Sequence, residues 1–346
     1  MINHGMIEPG RSLTSILSSS QVGRLPAGSV LELRNRNDQP LFRLDESVLS
    51  FYPDPSEADQ GSATAGGNRT VKDFINTIGS SPAVIVLIST GASGYTDYAV
   101  LTDLEIPSNI LVYAHHGARF SVPAGVTLTI NKQPKLGHYQ VFSGDGDIRY
   151  GKTYNGIVNI KWFGAKGDGS TDDSLAISKC TESIRQSTSA IEEISGKSEI
   201  FIKKLPILYF PAGSYVSTDS VWCGVDRASG EDLTYAIQNI YFEPGAILVS
   251  KATDKPALDL SGAWSVNAQN VHIRGDGTST PSIGILLSRT GESGGTDYSS
   301  GLHKFFNVTT DGSFSVCSVY NYASEVNTWI GCELHNNTGK AIFYQT

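Results

Sequence analysis

The sequence contains few charged residues and no excess of basic ones. Only 17% of its 346 residues are Asp, Glu, Lys or Arg, and the formal net charge is −8. A protein of that sign does not attract a nucleic-acid backbone or an anionic membrane surface. We therefore expect no nucleic-acid partner. No apolar run approaches the roughly 20 residues that cross a bilayer, so we also expect no membrane insertion.

Cysteine is also scarce, and its spacing matches no common metal or redox motif. The four cysteines are Cys180, Cys223, Cys317 and Cys332. None forms a C-x-x-C pair, and we interpret them as free thiols that are mostly buried. His115 and His116 are adjacent, so on a strand they would point to opposite faces and would not share a metal. The sequence therefore predicts neither a metal nor a cofactor.

By composition, the first 70 residues divide into a small β unit and a linker. Residues 31–34 and 41–44 flank a turn-forming run, which predicts a hairpin within a β unit spanning residues 1–52. Residues 53–70 are mostly small and polar without periodicity, as is typical of a linker. Thr70 and Asp73 then have the spacing of a capping box, which predicts a short helix that ends near Ile78.

The most distinctive stretch is a glycine-dense turn followed by an apolar stripe. Residues 162–173 read WFGAKGDGSTDD, and their glycines permit left-handed backbone and close approach. Behind them, isoleucines and a cysteine recur at three- and four-residue steps, which indicates a helix with one face in a core. We predict this helix at about residues 172–195, with Gly196 as its C-cap.

The polar residues at the start of this helix are predicted to be structural. Thr171 and Asp172 can accept hydrogen bonds from the unpaired N–H groups of a first helical turn. Asp173 suits the positive end of the helix dipole. We therefore favour helix capping over catalysis for these three residues.

Short apolar runs that end in glycine or asparagine recur along the rest of the chain, which has 36 glycines. Residues 271–277, 306–312 and 330–336 can be laid over one another. In this alignment one inward column holds Val271, Phe306 and Ile330, and a second holds Ile273, Val308 and Cys332. Each segment is then one strand and one turn whose apolar side is buried only by stacking on its neighbours. The repeat predicts a parallel β-helix.

The same alignment supplies the catalytic candidates. It stacks Asp276 on Asp311, with His335 on the next coil. Coils about 4.8 Å apart would bring the two carboxylates close enough to raise the pKa of one of them, as in a retaining glycosidase. Because Asp-Gly is also ordinary turn chemistry, a purely structural role is favoured. The residues that would bind a substrate are not predicted.

Residues 162–177 (WFGAKGDGSTDDSLAI), together with residues 139–146 and 157–162, resemble the entry segment of a known family. It is the pectate-lyase-like family of right-handed parallel β-helix proteins, and phage tailspikes above all. The resemblance is specific over about residues 83–215. It implies an all-β fold, with a right-handed parallel β-helix and its N-terminal capping helix at 163–346. A β-rich neck with the first coils is expected at 71–162.

The resemblance also implies a function. A tailspike would be a homotrimer, and residues 1–52 would attach it to other tail or baseplate proteins of the virion. It would recognise a host surface polysaccharide, with or without depolymerising it. The first residues lack the pattern of a signal peptide, which favours a virion protein made in the host cytoplasm. Because Thr346 directly follows a predicted strand, we expect the β-helix to continue in a longer protein.

Two other functions remain open at this stage. A secreted polysaccharide lyase or glycoside hydrolase would have the same fold. A purely structural tail component would have it without any sugar activity.

Overall fold

The computed structural model divides the chain into two compact units, Met1–Arg149 and Tyr150–Thr346. The sequence predicts boundaries after residues 52, 70 and 162, and none coincides with this division. The structure describes residues 31–34, 40–44, 49–65, 69–91, 94–187, 191–192, 203–204, 206–226, 231, 235–277, 281–288, 300–322 and 324–345.

The described residues of unit 1 form three sheets. The first has the strand order Leu31–Arg34, Pro40–Leu44, Leu49–Phe51, Ala83–Leu87 and Ile110–Ala114. The second contains Thr96–Ala99, Ala118–Ser121 and Phe142–Ser143, and the third contains Leu104–Ile106, Thr127–Ile130 and Asp147–Tyr150. The predicted hairpin is confirmed, since the first two strands pair antiparallel. From residue 83 onward the chain passes from sheet to sheet with parallel pairing, so it forms short β-helical coils.

The described end of the predicted β unit at residues 1–52 is not separate from the rest of unit 1, contrary to the prediction. The strand Leu49–Phe51 pairs in parallel with Ala83–Leu87. The Phe51 side chain is fully buried, and its ring centre lies 5.0 Å from that of Phe74. The pairing of the third strand, Leu49–Phe51, with a strand more than 30 residues later leaves no signal in local periodicity. The sequence therefore suggested an independent unit.

The predicted linker at residues 53–70 is also wrong, because the described residues of this segment are folded as part of unit 1. Gln60 is fully buried. Its backbone N–H donates to the Ala99 carbonyl at 2.7 Å, and its side-chain oxygen accepts from the Val71 N–H at 3.0 Å. Asp59 accepts from the Leu101 N–H at 2.7 Å. The small polar residues of this segment serve as turn and capping groups. A folded segment of this kind has the same composition as a linker, so composition alone does not distinguish the two.

Helix α1 spans Val71–Ile78, as predicted. Its capping box is complete, because Thr70 accepts from the Asp73 N–H and Asp73 accepts from the Thr70 N–H. Burial opposes ionisation of Asp73, but hydrogen bonds from Thr64, Thr70 and Arg69 outweigh it and lower the pKa of the carboxyl.

Unit 2 is a parallel β-helix, and this fold class is confirmed. Sheet A contains Ile157–Asn159, Ile207–Phe210, Asn239–Phe242, Asn267–Gln269, Lys304–Phe306 and Thr328–Ile330. Sheet B contains Asp168–Asp172, Gly213–Ser217, Ala246–Ser250, His272–Gly275, Thr309–Asp311 and Glu333–Leu334. Sheet C contains Val221–Trp222, Pro256–Asp259, Ile283–Ser288, Cys317–Tyr322 and Lys340–Gln345. Among the described residues, two short strand pairs lie outside these sheets: Ile191–Glu192 with Lys203–Lys204, and Ser300–Gly301 with Ser324–Glu325.

The core of unit 2 lies between the three sheets. On each strand alternate side chains point inward, so equivalent residues of successive coils stack in columns. One column of sheet A contains the fully buried Leu208, Ala268 and Phe305. The predicted inward position of Phe306 and Ile330 is wrong. They are paired as predicted but face outward, and Ile330 is 52% exposed.

Helix α2 spans Ser174–Arg185 and packs on the first coil of unit 2. Its predicted stripe is confirmed up to Ile184, which is fully buried. The predicted extent of 172–195 is wrong, because Ile191 belongs to a strand. The last turn tightens where the Ser187 N–H donates to the Ile184 carbonyl, three residues back, and the chain then leaves the helix. Gly196, the predicted C-cap, lies outside the described residues.

No helix in the described part of the chain is long and apolar enough to cross a membrane. The four cysteines are free, and three of them are buried, as predicted. Cys332 is only half-buried.

Candidate functional site

The outward face of sheet B carries a cluster of polar side chains on two adjacent coils. The strand His272–Gly275 pairs in parallel with Thr309–Asp311, so that Arg274 lies opposite Asp311. Ile273 and Thr310, between them, point into the core and are fully buried. The strict alternation of the strand therefore directs His272, Arg274 and Asp311 outward. We call these three residues the sheet B cluster.

The Asp311 carboxylate joins the cluster by three contacts. The Arg274 Nε donates to Oδ1 at 2.9 Å, and an Arg274 Nη donates to Oδ2 at 3.1 Å. The His272 Nε2 lies 3.0 Å from Oδ2. The side chains are 26% (His272), 45% (Arg274) and 31% (Asp311) exposed, so that the cluster remains open to a ligand.

The contacts fix the charge of the cluster. Burial opposes ionisation of Asp311, but hydrogen bonds from Arg274 and His272 outweigh it and lower the pKa of this carboxyl. The hydrogen bond to Asp311 in turn raises the pKa of Arg274. Asp311 is therefore an ionised acceptor at neutral pH and is unsuited to act as a general acid, which must carry a proton.

The predicted pairing of Asp276 with Asp311 is wrong in register. Asn270 and Asn307 both adopt left-handed backbone (φ 55° and 53°) and mark the same bend on successive coils. The Asn307 side chain donates to that of Asn270 at 3.3 Å. Starting from this bend, Asp311 falls opposite Arg274, two residues before Asp276. The shared dipeptide Asn-Val at 270–271 and 307–308 was the signal that would have given this register.

The turn glycines are consistent with the same register. Gly275 and Gly312 follow the paired residues Arg274 and Asp311, and a Cβ added at Gly312 would lie 2.2 Å from the Gly275 carbonyl oxygen. Only glycine permits this approach. The Asp276 backbone N–H donates to the Ser250 carbonyl at 3.3 Å, on the preceding coil. The two aspartates are therefore not opposite each other in the register, and the residue opposite Asp311 is Arg274.

The last described coil adds two exposed side chains beside the cluster. Glu333 lies opposite Thr309 in the register, and His335 follows two residues later. The His335 backbone N–H donates to the Thr310 carbonyl at 2.9 Å, which places His335 on the coil next to Asp311, as predicted. Together with the sheet B cluster they form a polar surface across three coils.

The three predicted capping residues divide into different roles. Asp172 accepts from the Ser174 N–H at 3.0 Å and from the Thr218 hydroxyl at 2.7 Å, so it does cap the first turn of α2. Thr171 instead donates to Asp168 at 2.7 Å within the preceding turn. Asp173 occupies the N-cap position but makes no side-chain cap hydrogen bond.

The Asp173 carboxylate closes the glycine turn instead. It accepts from the Lys166 N–H at 2.7 Å and from the Gly167 N–H at 3.0 Å. Only 2% of Asp173 is exposed, and burial raises the pKa of its carboxyl despite these hydrogen bonds. It holds the turn against the helix, which is a structural role.

The described residues contain no group of three or more His, Cys, Asp or Glu side chains placed to hold a metal ion. His115 and His116 are exposed and contact different tyrosines, Tyr113 and Tyr139. His303 is fully buried and hydrogen-bonded to Ser300. Sequence reasoning missed His272 and Arg274, whose role depends on the register.

A family model matches part of the chain. The family described as Rhamnogalacturonase A/epimerase, pectate lyase-like, matches residues 157–301, which is less than half of the chain. The matched region begins at the first strand of sheet A and includes His272 and Arg274 but not Asp311. Comparisons with curated proteins and with solved structures gave no match. The family match supports a pectate-lyase-like β-helix and fits a protein that acts on polysaccharide.

Proposed function

We propose that this protein binds a surface polysaccharide along the outward face of sheet B. The observation that carries the proposal is the exposed sheet B cluster, two of whose three members lie within the pectate-lyase-like match at residues 157–301. A polysaccharide presents a row of hydroxyl groups, and adjacent coils of a β-helix present side chains at a regular spacing of about 4.8 Å. The regular spacing of side chains along the sheet therefore suits the regular row of hydroxyl groups along the polysaccharide.

The cluster retains hydrogen-bonding capacity for such a ligand. A guanidinium has five N–H donors. Asp311 uses two of those of Arg274, which leaves three directed away from the pair. The His272 Nε2 faces Asp311, so its Nδ1 points elsewhere. Because Asp311 already fixes both side chains, a sugar would bind without ordering them first.

We further propose that the protein is a phage tailspike. In this proposal it is a homotrimer in the virion, its N-terminal region attaches to tail or baseplate proteins, and the polysaccharide belongs to the host surface. Support comes from the resemblance of residues 83–215 to tailspikes. Light scattering of the purified full-length chain tests the assembly, and a monomer would contradict the tailspike assignment while leaving polysaccharide binding open.

A second candidate function is cleavage of the polysaccharide, as in a lyase or hydrolase. It is favoured by one observation, the 3.0 Å contact between the His272 Nε2 and the Asp311 Oδ2. An ionised carboxylate that orients an imidazole is a common arrangement for a general base. Release of reducing ends or of unsaturated products would support cleavage, and its loss in His272→Gln would assign the base.

The binding proposal is tested on an array of purified bacterial surface polysaccharides. We expect the wild-type protein to bind at least one of them. Arg274→Ala should weaken that binding by about tenfold or more, since a charge-assisted hydrogen bond contributes about 1.5–3 kcal/mol.

Arg149→Ala is the matched control, because Arg149 is 44% exposed and forms a similar ion pair with Asp147 in unit 1. It should bind as the wild type does. Failure of the wild type to bind any polysaccharide would contradict the proposal and favour a purely structural tail component.

A further inference from the structure

Unit 1 carries an exposed cluster of four rings that sequence reasoning did not identify as a site. It consists of Tyr113, His115, His116 and Tyr139, which we call the corner cluster. Tyr113 lies at an outward position of the strand Ile110–Ala114 and is 42% exposed. The two histidines follow this strand and are exposed, and Tyr139 lies on the next coil and is half-buried.

The rings contact one another edge to face. The Tyr113 and His115 ring centres are 5.3 Å apart at 85°, and those of His116 and Tyr139 are 5.1 Å apart at 76°. Burial raises the pKa of Tyr139, and the Tyr113 hydroxyl adds to this effect. The four rings therefore form two edge-to-face pairs, which the successive residues His115 and His116 bring next to each other along the chain.

The backbone holds this surface in place. The Tyr139 hydroxyl donates to the carbonyl of Ala114, the last residue of the strand that precedes both histidines. A Cβ added at Gly137 would lie 2.3 Å from the Tyr139 ring, so the ring packs directly on the glycine backbone. Tyr113 and Lys135 pair through a parallel bridge, which joins the two coils. The surface is thus ordered before any ligand binds, which lowers the entropic cost of binding.

The chemistry of the cluster distinguishes a sugar from a protein partner. Every ring in it carries a polar atom, either a hydroxyl oxygen or an imidazole nitrogen. Among the described residues of unit 1, the strongly exposed large apolar side chains are Tyr95, Leu101 and Tyr113. Leu101 follows another strand, Thr96–Ala99, so Tyr113 is the strongly exposed large apolar side chain of the corner cluster. A pyranose has an apolar C–H face rimmed by hydroxyls, which complements amphipathic rings.

We propose that the corner cluster is a second polysaccharide-binding site, at which a sugar ring stacks on Tyr113 and hydrogen-bonds to the adjacent imidazoles. The inference rests on the proposed function, because it assumes that a polysaccharide is the ligand. It adds a contact within unit 1 that neither the sheet B cluster nor the family match at residues 157–301 includes. Two sites on one chain would strengthen binding to a repeating polymer.

The test uses the full-length protein and the polysaccharides that the wild type binds on the array. Tyr113→Ala should weaken binding by about fivefold to tenfold, because the stacking surface is lost. Tyr113→Phe keeps the ring and should bind almost as the wild type does. Tyr322→Ala is the matched control, since Tyr322 is 38% exposed but lies on sheet C of unit 2. Thermal melting of each variant checks that it is folded.

The outcomes separate the two proposals. If Arg274→Ala weakens binding and Tyr113→Ala does not, the sheet B site stands and the corner cluster is not a site. Equal losses in Tyr113→Ala and Tyr322→Ala would also overturn the inference, because the effect would not be specific to the cluster. If the wild type binds no polysaccharide, both proposals fail. Weakened binding in Tyr113→Ala, with unchanged binding in Tyr322→Ala, would support the inference.

Discussion

Two histidines of unit 2 are hydrogen-bonded to polar partners, yet their surroundings give them different roles. His303 is fully buried between coils, where its Nδ1 lies 3.3 Å from the Val266 N–H and its Nε2 lies 2.7 Å from the Ser300 hydroxyl. His272 lies on the outward face of sheet B beside Asp311. Burial commits the first to the fold, whereas exposure leaves the second available to a ligand.

The buried network also determines which nitrogen of His303 carries the proton. A backbone N–H only donates, so Nδ1 accepts from Val266 and Nε2 donates to Ser300. The Ser300 hydroxyl then donates to the Ala263 carbonyl at 2.9 Å. Serine beside histidine is elsewhere a catalytic arrangement, but here the hydroxyl is buried and its proton is committed to the carbonyl. The contrast with His272 shows that burial, and not residue type, determines whether a histidine is committed to the fold.

The largest difference between buried and exposed positions is expected in helix α2. Ile184 is fully buried, whereas Leu175, in the first turn, is 69% exposed. Ile184→Asp would bury a charge and should cost several kcal/mol of unfolding free energy or prevent folding. Leu175→Asp should change it by less than about 0.5 kcal/mol, since a carboxylate suits a helix N-terminus. Urea unfolding measures both, and a normally folded Ile184→Asp protein would show that the stripe faces water.

The second comparison removes each histidine in turn. His303→Ala leaves the Val266 N–H without its partner and creates a cavity, so we expect a loss of about 2–4 kcal/mol in unfolding free energy. His272→Ala should cost less than about 1 kcal/mol, because its contact with Asp311 is solvent-exposed. Similar losses in the two variants would mean that the sheet B cluster is as structural as the core.

The third prediction concerns pH. Burial lowers the pKa of His303 to about 3, well below the value near 6.5 of an unfolded chain. As the pH falls, His303 is therefore protonated in the unfolded state at a higher pH than in the folded state. The contribution of His303 to stability is complete above about pH 6.5 and is lost as the pH falls below that value. The expected loss is about 1.4 kcal/mol per pH unit, or about 2 kcal/mol by about pH 5.

The measurement for this prediction is the unfolding free energy of the wild type minus that of His303→Gln at several pH values. Taking the difference cancels the carboxylates that titrate in both proteins. A difference that stays constant between about pH 7 and pH 5 would show that His303 is protonated without penalty in the fold.

Much of the fold was predictable because its determinants are local. The helix stripe at Ile177 to Ile184, the capping box at Thr70 and Asp73 and the strand-turn repeats all depend on neighbours within a few residues. The predicted linker failed because Gln60 and Asp59 contact Ala99 and Leu101, far along the chain. Contacts of that range leave no trace in local composition.

The candidate site was less predictable than the fold. A β-helix repeat tolerates coils of unequal length, so matching one turn motif does not fix the register of the next. Matching Asp276-Gly277 with Asp311-Gly312 predicted that the two aspartates stack on adjacent coils. The bend at Asn270 and Asn307 shows that the true register differs from this alignment by two residues, so that Asp311 lies opposite Arg274. Asp311 was selected from the turn motif, but its partners His272 and Arg274 follow from the register that the structure shows.

The smallest predicted effect lies within the exposed cluster itself. The Arg274–Asp311 pair is partly exposed, so its coupling energy in a double-mutant cycle should be about 0.2–1 kcal/mol and should weaken with added salt. The variants are Arg274→Ala, Asp311→Asn and the double variant, and unfolding in urea gives each free energy. The pair Arg149 and Asp147, with an Nη to Oδ distance of 2.8 Å, provides a reference cycle on unit 1. A coupling of several kcal/mol at Asp311 alone would mean that this cluster holds the coils together. Its polar groups would then be engaged in the fold and not available to a polysaccharide, and the contrast with His303 would disappear.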